Sequence, residues 1–221
     1  TGQANCRRPL MKGTEMHCPS MFREERLDVL HDLVSAHPLA TLITAGSNGL
    51  MANLIPFTLH VGGEHGILRA HLARGNKQLD ALREGAEALV VFQGPECYVT
   101  PSWYPSKAEN GKVVPTWNFA MVQVRGKPVV FDDATWVRAQ IDEMTNNHER
   151  QREHPWKVSD APQDFIAAQL KAIVGIEIPI SSIEGKWKVS QNRLPADRQG
   201  VIDGLRAEQV CPSMLAAMEV R

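Results

Sequence analysis

The stretch Leu39-Ala-Thr-Leu-Ile-Thr-Ala-Gly-Ser-Asn-Gly-Leu-Met-Ala-Asn-Leu-Ile-Pro-Phe-Thr-Leu-His-Val61 indicates a β-hairpin. Its first arm, residues 39–45, is an apolar run of strand length. Asn48-Gly49 supplies the positive φ angles that tight hairpin turns need. The return arm, residues 50–61, contains Pro56, which indicates a bulge or a sheet edge because proline cannot donate a hydrogen bond to a neighbouring strand. The hairpin therefore predicts antiparallel β-structure.

Other β-patterned segments follow the hairpin. In the third strand, Ile67–Ala73, the alternation places Leu68, Ala70 and Leu72 on one face and Arg69, His71 and Ala73 on the other. Further segments are residues 87–93, 116–130, 173–180 and 183–189. Six to eight strands in hairpin order, with helices inserted, predict a mainly β fold with peripheral helices (α+β) that closes, or nearly closes, a barrel.

Helical patterns lie between the strands, at residues 23–36, 77–84, 133–149 and 197–206. A further helix is predicted to start around Asp160, with this residue as the N-cap and Pro162 in the first turn. We expect residues 1–15 to form a disordered leader, residues 16–206 one folded domain and residues 207–221 a C-terminal tail. Met16 is the more natural start of the folded part.

The composition and the absence of several motifs argue against certain classes of function. The chain has 221 residues and a formal net charge of −1, which argues against DNA binding driven by overall charge. The four cysteines show no metal-ligand or redox-motif spacing, and we expect reduced thiols in a cytoplasmic protein. No apolar run is long enough to span a bilayer. Fingerprints of zinc proteases, serine hydrolases, P-loop nucleotide hydrolases and Rossmann enzymes are absent from the sequence.

The most informative segment for chemistry is Ile67-Leu-Arg-Ala-His-Leu-Ala-Arg-Gly-Asn-Lys77, where a strand leads into a helix. A helix start offers free backbone N–H groups, and His71, Arg74, Asn76 and Lys77 add polar and basic side chains there. Two interpretations fit these residues, a seat for a phosphate group and a basic turn facing water.

Two later segments also leave alternatives open. Residues 93–107 are rich in aromatic and proline residues, and Trp103 with Tyr104 fits either a wall against a planar ligand or a hydrophobic plug. Trp117 fits a core position or a stacking surface. Residues 185–193 gather cations and amides that fit a grip on phosphate or on a carbonyl-rich ring, or a solvated strand end.

Together these segments resemble the PaiB family, also called FMN-binding negative transcriptional regulators, from Met16 to Arg206. The resemblance rests on nine words in family order: His-Pro-Leu-Ala-Thr-Leu at 37–42, Asn53 with Ile55-Pro56, His71-x-Ala73-Arg74-x-Asn76, Val-Phe-Gln-Gly-Pro at 91–95, Tyr-Val-x-Pro-Ser-Trp-Tyr-Pro-Ser-Lys at 98–107, Lys-Val-Val-Pro-Thr-Trp-Asn at 112–118, Trp-Lys-Val-Ser-Asp-Ala-Pro at 156–162, Ile-Val-Gly-Ile-Glu-Ile at 173–178 and Glu-Gly-Lys-Trp-Lys-x-Ser-Gln-Asn-Arg at 184–193.

The resemblance implies an FMN-binding split β-barrel of antiparallel Greek-key type, a homodimer with FMN at its interface. It implies that the phosphate lies at His71, Ala73, Arg74, Asn76 and Lys77. The flavin ring would lie against Asn53, Leu54 and Ile55. The later strands would contribute Trp117, Ser190, Gln191 and Arg193, from the same or from the other protomer.

This chain departs from the family pattern at four positions. Lys77 and Leu79 stand where many relatives carry Pro and Trp, and Phe119 and Gln123 stand where Tyr and His are common. The last two changes remove groups that an acid–base role would need.

The resemblance implies negative regulation of transcription, acting through DNA or through a regulatory protein partner. An FMN-dependent oxidoreductase or flavin reductase is the alternative, and haem binding with His71 as ligand is a third hypothesis. No catalytic residue, metal site or membrane association is predicted.

Overall fold

The computed structural model describes residues 15–47 and 49–220. Most of the predicted leader and Asn48 of the predicted hairpin turn lie outside these residues. The strands in the described part are β1 (Arg23–Glu24), β2 (Leu39–Gly46), β3 (Gly49–Pro56), β4 (Thr58–His60), β5 (Ile67–Ala73), β6 (Ala88–Val99), β7 (Thr116–Gly126), β8 (Val129–Phe131) and β9 (Ile173–Lys188). The α-helices are α1 (Leu27–Ala36), α2 (Gln78–Arg83), α3 (Ser106–Asn110), α4 (Ala134–Glu149), α5 (Gln163–Lys171), α6 (Pro195–Glu208) and α7 (Pro212–Glu219).

The strands form one antiparallel, curled sheet in the order β3-β2-β6-β7-β9-β5-β4. The long strand β9 also pairs with β1 and β8, so it joins both halves of the barrel. The prediction of two separate strands at 173–180 and 183–189 is wrong. These residues form one strand that changes its main partner from β5 to β7 near Pro179, where the pairing register with β7 shifts.

The predicted hairpin and third strand are confirmed. Strands β2 and β3 pair from Leu39 with Pro56 to Gly46 with Gly49. Pro56 ends β3, and the chain then crosses to β4, which pairs with β5 instead of β2. In β5 the alternation of buried and more exposed residues follows the prediction, with Leu68, Ala70 and Leu72 buried.

One predicted helix start is wrong and one is right. Asp133 caps α4, because its carboxylate accepts the N–H groups of Thr135 and Trp136, and these bonds lower its pKa. Asp160 instead closes a short 3₁₀ turn by accepting the N–H of Lys157 at 2.8 Å. Helix α5 begins after Pro162 because the residue preceding a proline is driven out of the helical region.

The segment predicted as a C-terminal tail contains the end of α6 and the whole of α7. Met214 and Met218 of α7 are fully buried and belong to the main core. The predicted last helix is therefore followed by another helix that covers one end of the barrel beside β6.

The aromatic segment at 101–104 packs as a plug. Tyr104 is buried, and the Trp103 ring lies directly on α6 at Gly204, where a Cβ atom would come within 2.4 Å of the indole. The indole N–H of Trp103 donates to Glu208 Oε1 at 2.8 Å. Glycine at 204 thus permits the contact, and of the two alternatives for Trp103 and Tyr104 the structure has the plug.

Within the residues that the structure describes, no α-helix has both the length and the apolar character needed to cross a bilayer.

Candidate functional site

A buried glutamine ties together the two segments predicted to hold the ring and the phosphate. Gln78, at the start of α2, is completely buried. Its Nε2 donates to the carbonyl of Leu42 at 2.9 Å, and its Oε1 accepts from Asn53 Nδ2 at 3.0 Å. Its backbone N–H donates to Asn76 Oδ1 at 2.9 Å. This Gln78 network fixes β3 and the 73–77 loop relative to each other.

Arg74 is engaged with other parts of the protein. Its guanidinium donates to Asp132 at 2.5 Å and to the carbonyls of Lys171 and Ile173 at 3.0 and 3.2 Å. Arg83 of α2 donates to the same carboxylate. The hydrogen bond from Arg74, with those from Arg83, lowers the pKa of Asp132. Arg74 therefore shares its charge with an acid that the sequence did not point to.

The neighbouring loop residues are open. Lys77 is exposed, and in the described part of the chain it has no ion-pair partner. The backbone N–H groups of Gly75 and Lys77 have no acceptor among the described residues, and a Cβ atom at Gly75 would meet open space. One ammonium group and two free N–H groups match the donors that a phosphate needs.

His71 lies on the outer face of β5 beneath α4. Its Nδ1 is 2.8 Å from Oε1 of Gln140, a buried residue of α4. Ala73, at the end of the strand, is exposed. The contact with Gln140 fixes the His71 ring beneath α4. Helix α4 therefore covers the face of β5 on which His71 lies.

The predicted ring-side residues lie on β3 at the edge of the sheet. Asn53 and Leu54 are exposed, Leu54 by 64%, while Ile55 is buried in the core. Leu50 on the same strand is 80% exposed. An edge strand with apolar side chains of this exposure is typical of a surface that another molecule covers.

The other predicted residues form a separate group, at the start of β7 and just after the end of β9. Trp117 is half exposed and packs edge-on against Tyr98, with ring centroids 5.8 Å apart. Ser190 is buried in a left-handed conformation at φ 66°, and its hydroxyl accepts from Asn118 Nδ2 at 2.9 Å. The prediction that Trp117 is either core or stacking surface thus resolves to an exposed aromatic surface.

The segment after Ser190 is held by local contacts. Gln191 folds back to accept the N–H of Val189 at 2.6 Å and to donate to the carbonyl of Trp187. Arg193 lies over the ring of Tyr104 at 4.6 Å. Burial raises the pKa of Tyr104, and the cation of Arg193 partly offsets this rise.

Lys188, next to this segment, is partly buried and donates to Thr116 and to the Trp117 carbonyl. Burial lowers its pKa, and the nearby cations of Arg193 and Lys186 lower it further. Three cations therefore lie near one another at this end of the barrel. The carboxylates of Glu96 and Glu208 lie in the same region, beside Trp117.

The two groups lie apart within one protomer. Asn53 pairs with Leu42, Leu42 with Val90, and Val90 with Val124 of β7. Trp117 precedes Val124 by seven residues on β7, which corresponds to a displacement of about 23 Å along the strand direction. Within one chain, the two groups of predicted residues therefore lie at separate places on the sheet.

Sequence reasoning missed four residues that hold the predicted residues in position. Gln78, Asp132, Asn118 and Gln140 all act through contacts between residues far apart in the chain. Asn118 alone lay within a family word, while the other three carry no local signal. Among the described residues, no group of His, Cys, Asp and Glu side chains could hold a metal ion.

Known proteins resemble this chain over most of its length. A protein-family model described as "Putative FMN-binding domain" matches residues 16–182. An uncharacterized protein of Emericella nidulans is 35% identical, over 86% of this chain and 90% of that protein. Protease synthase and sporulation protein PAI 2 of Bacillus subtilis is 28% identical, over 88% of this chain and 91% of that protein.

The fold also has a counterpart among solved structures. The FAD and heme binding protein of Mycobacterium smegmatis superposes with a TM-score of 0.56 at 21% identity, over 75% of this chain and 73% of that chain. This likeness supports the barrel architecture, and the sequence matches confirm the predicted resemblance. The chain is thus a split β-barrel that belongs to the FMN-binding domain family of which the Bacillus PaiB protein is a member.

Proposed function

We propose that this chain binds FMN between two copies of itself, with the phosphate at residues 73–77 and the flavin ring against the exposed Asn53 and Leu54, while Ile55 supports this strand from the core. The observation that carries the proposal is the Gln78 network, which holds the loop and the strand in one rigid unit. A ligand with a phosphate at one end and a flat ring at the other needs two such surfaces at a fixed separation.

The phosphate end has suitable donors. Lys77 and the N–H groups of Gly75 and Lys77 are free to bind an anion, and Asn76 shapes the loop by accepting the N–H of Gln78. Arg74 adds positive charge, which Asp132 partly offsets. His71 and Ala73 are the strand residues that lead into this loop.

The ring end requires a second wall. Asn53 and Leu54 face solvent on β3, and the aromatic surface of Trp117 is displaced from them by about 23 Å along the strand direction. We call the group formed by β3 and the 73–77 loop the first half-site, and the group formed by Trp117, Ser190, Gln191 and Arg193 the second half-site. A two-fold dimer places the second half-site of one protomer against the first half-site of its partner. We infer that Trp117, Ser190, Gln191 and Arg193 act from the partner protomer, where they exclude water from the ring and supply positive charge.

Bound FMN would supply electron-accepting chemistry, while the protein sets its orientation and electrostatic environment. The cations of Lys188 and Arg193 would stabilise negative charge at the carbonyl side of the ring. Lys77 would hold the phosphate, which fixes the position of the ring end.

The test compares FMN with riboflavin, which lacks the phosphate. Flavin fluorescence titration should show that Lys77→Ala weakens FMN binding by about 1.5–3 kcal/mol, the scale of a hydrogen bond to a charged group, and leaves riboflavin binding unchanged. Lys127→Ala removes the same charge from an exposed position at the β7–β8 turn and serves as the matched control.

Equal losses for both flavins, or equal effects of the two lysine variants, would refute the phosphate assignment. Absence of flavin binding by the wild-type protein would refute the whole proposal.

The regulatory role is the finer part of the proposal. The name of the Bacillus relative links that protein to protease synthesis and sporulation. We propose a cytoplasmic regulator, because the cysteines in the described part, Cys18, Cys97 and Cys211, are free thiols, as is typical of that compartment. With a net charge of −1, a protein partner is favoured over direct DNA binding.

The oxidoreductase alternative makes a different prediction. An enzyme would oxidise NADPH or NADH faster than free FMN does at the same concentration. A regulator would show no such acceleration, and would retain a specific partner protein when flavin is bound.

A further inference from the structure

Two cysteines lie beside each other at the end of the barrel that carries α7. Cys97 is in β6 opposite Asn118, and Cys211 is the residue that precedes α7. Both line one surface cavity of about 730 Å³, together with Trp103, Trp117 and Glu208. This cavity is not lined by the 73–77 loop, and it shares Trp117 with the second half-site.

The two thiols differ in environment. The side chain of Cys97 is buried, and its thiol donates to the Tyr98 carbonyl at 3.3 Å. Burial raises the pKa of Cys97 to about 12, and a hydrogen bond with the Cys211 thiol adds to this rise. Cys211 is partly exposed to solvent. An oxidant entering the cavity therefore meets Cys211 first.

The backbone at Cys211 is unusual. Its φ and ψ angles of 49° and 55° lie in the left-handed region, which residues with a Cβ atom rarely adopt. Glycine or asparagine would occupy this position at lower cost, and such outliers concentrate at functional positions. The strained conformation holds the Cys211 side chain in the wall that it shares with Cys97.

We propose that Cys97 and Cys211 are a redox pair that closes to a disulfide when the protein meets a peroxide. The Cys211 sulfur attacks one peroxide oxygen, the O–O bond breaks, and a sulfenic acid and one water form. The Cys97 sulfur then attacks the sulfenic sulfur, the S–S bond forms and a second water leaves. Two thiols lose two electrons and two protons, and the peroxide is reduced to two waters.

The disulfide would tie α7 covalently to β6. Met218 of α7 accepts from Asn118 Nδ2 at 3.7 Å, and the same amide nitrogen donates to Ser190. The oxidation state of the pair is thereby connected to the segment that begins at Ser190. The redox pair itself does not depend on flavin binding.

The test uses the full-length protein, fully reduced and then treated with hydrogen peroxide at equimolar concentration. After alkylation of free thiols and proteolysis, mass spectrometry should find a peptide pair joined through Cys97 and Cys211, lighter than the sum of its parts by two hydrogen atoms. Dithiothreitol should reverse the linkage. Cys18→Ser is the matched control and should keep it, whereas Cys211→Ser should abolish it.

Alkylation of both thiols after peroxide treatment, or their separate conversion to sulfinic acids, would overturn the proposal. Because Cys97 is buried and its substitution would disturb the core, the linked peptide of the unmodified protein is the primary readout. A second readout is thermal unfolding, in which the oxidised form should melt at a higher temperature than the reduced form. If the protein does not bind FMN but forms the disulfide, the proposed function fails and the proposal of a redox pair stands.

Discussion

At the scale of single residues, Arg74 shows how a sequence pattern can identify a group and miss its partner. The family pattern pointed to Arg74 as a phosphate ligand. In the structure, its guanidinium is bound to Asp132 and to two backbone carbonyls. Asp132 follows β8, almost sixty residues farther along the chain, and no local pattern connects the two. An anion at this loop would compete with a resident carboxylate.

Removal of that carboxylate should therefore improve anion binding. We expect Asp132→Asn to tighten FMN binding by about 0.5–1 kcal/mol, the scale of an exposed ion pair. Riboflavin binding should not change, because only the phosphate competes for Arg74. Asp164→Asn, a similar change on the exposed first turn of α5, is the control for net charge. Unchanged FMN affinity would mean that Arg74 does not reach the phosphate.

Gln78 contributes to stability, since its side chain makes hydrogen bonds with buried polar groups. Gln78→Leu should lower the free energy of unfolding by about 1–3 kcal/mol, because the Leu42 carbonyl and the Asn53 amide lose their partner. Urea unfolding followed by circular dichroism measures the change. Gln169→Leu, at an exposed position of α5, should stay within about 0.5 kcal/mol of wild type.

The variant Gln78→Leu should also weaken the binding of both FMN and riboflavin. Without the amide, β3 and the 73–77 loop lose their common anchor. If stability falls while both affinities stay the same, the Gln78 network is structural only.

At the scale of elements, the contact between Trp103 and α6 gives a prediction in which the sign of an effect reverses. Gly204→Ala should destabilise the protein by about 1–3 kcal/mol, because the added Cβ atom overlaps the indole ring. In a Trp103→Ala background, the same substitution should stabilise the protein by about 0.5–1 kcal/mol, since alanine is the better helix former. A four-protein unfolding cycle measures both, and the same sign in both backgrounds would contradict the described contact.

Elements were predictable where one local rule dominates. Alternation of apolar residues located β5, and the hairpin between β2 and β3 followed from Gly and Asn in the turn. The helix start at Asp133 was predicted correctly, whereas the N-cap predicted at Asp160 was wrong because Pro162 set the helix start. The single strand β9 could not be predicted, since its continuity depends on β5 and β7 as successive partners.

The candidate site also has features that the sequence predicted and features that it could not predict. The exposure of Asn53, Leu54 and Trp117 agrees with a binding role, and the family words located these residues. Their separation within one protomer could not be read from sequence, because it follows from sheet order. Ser190 and Gln191 proved to be tied to neighbouring groups, a detail that depends on side-chain contacts alone.

At the scale of the whole molecule, the proposal of two half-sites on one chain predicts complementation between variants. Lys77→Ala impairs the first half-site, and Trp117→Ala impairs the second. When the two variants are mixed and allowed to exchange subunits, hybrid dimers should contain one intact site and one doubly impaired site. Random pairing then restores tight FMN binding at about a quarter of all sites.

Fluorescence titration of the mixture measures this recovery. A titration equal to the average of the two parents would mean that each protomer binds alone, or that the second half-site is not used. Mixing two preparations of Lys77→Ala is the control and should recover nothing.

Strand β9 has a consequence for how this protein is made. It pairs with β1 near the beginning of the described chain and also with β5, β7 and β8. Until residue 188 leaves the ribosome, the nascent chain has open edges on several strands and no closed barrel. Pairing between such distant segments is slow, and open edges recruit other chains. We therefore expect the protein to depend on chaperones that protect β5 and β7 during its synthesis.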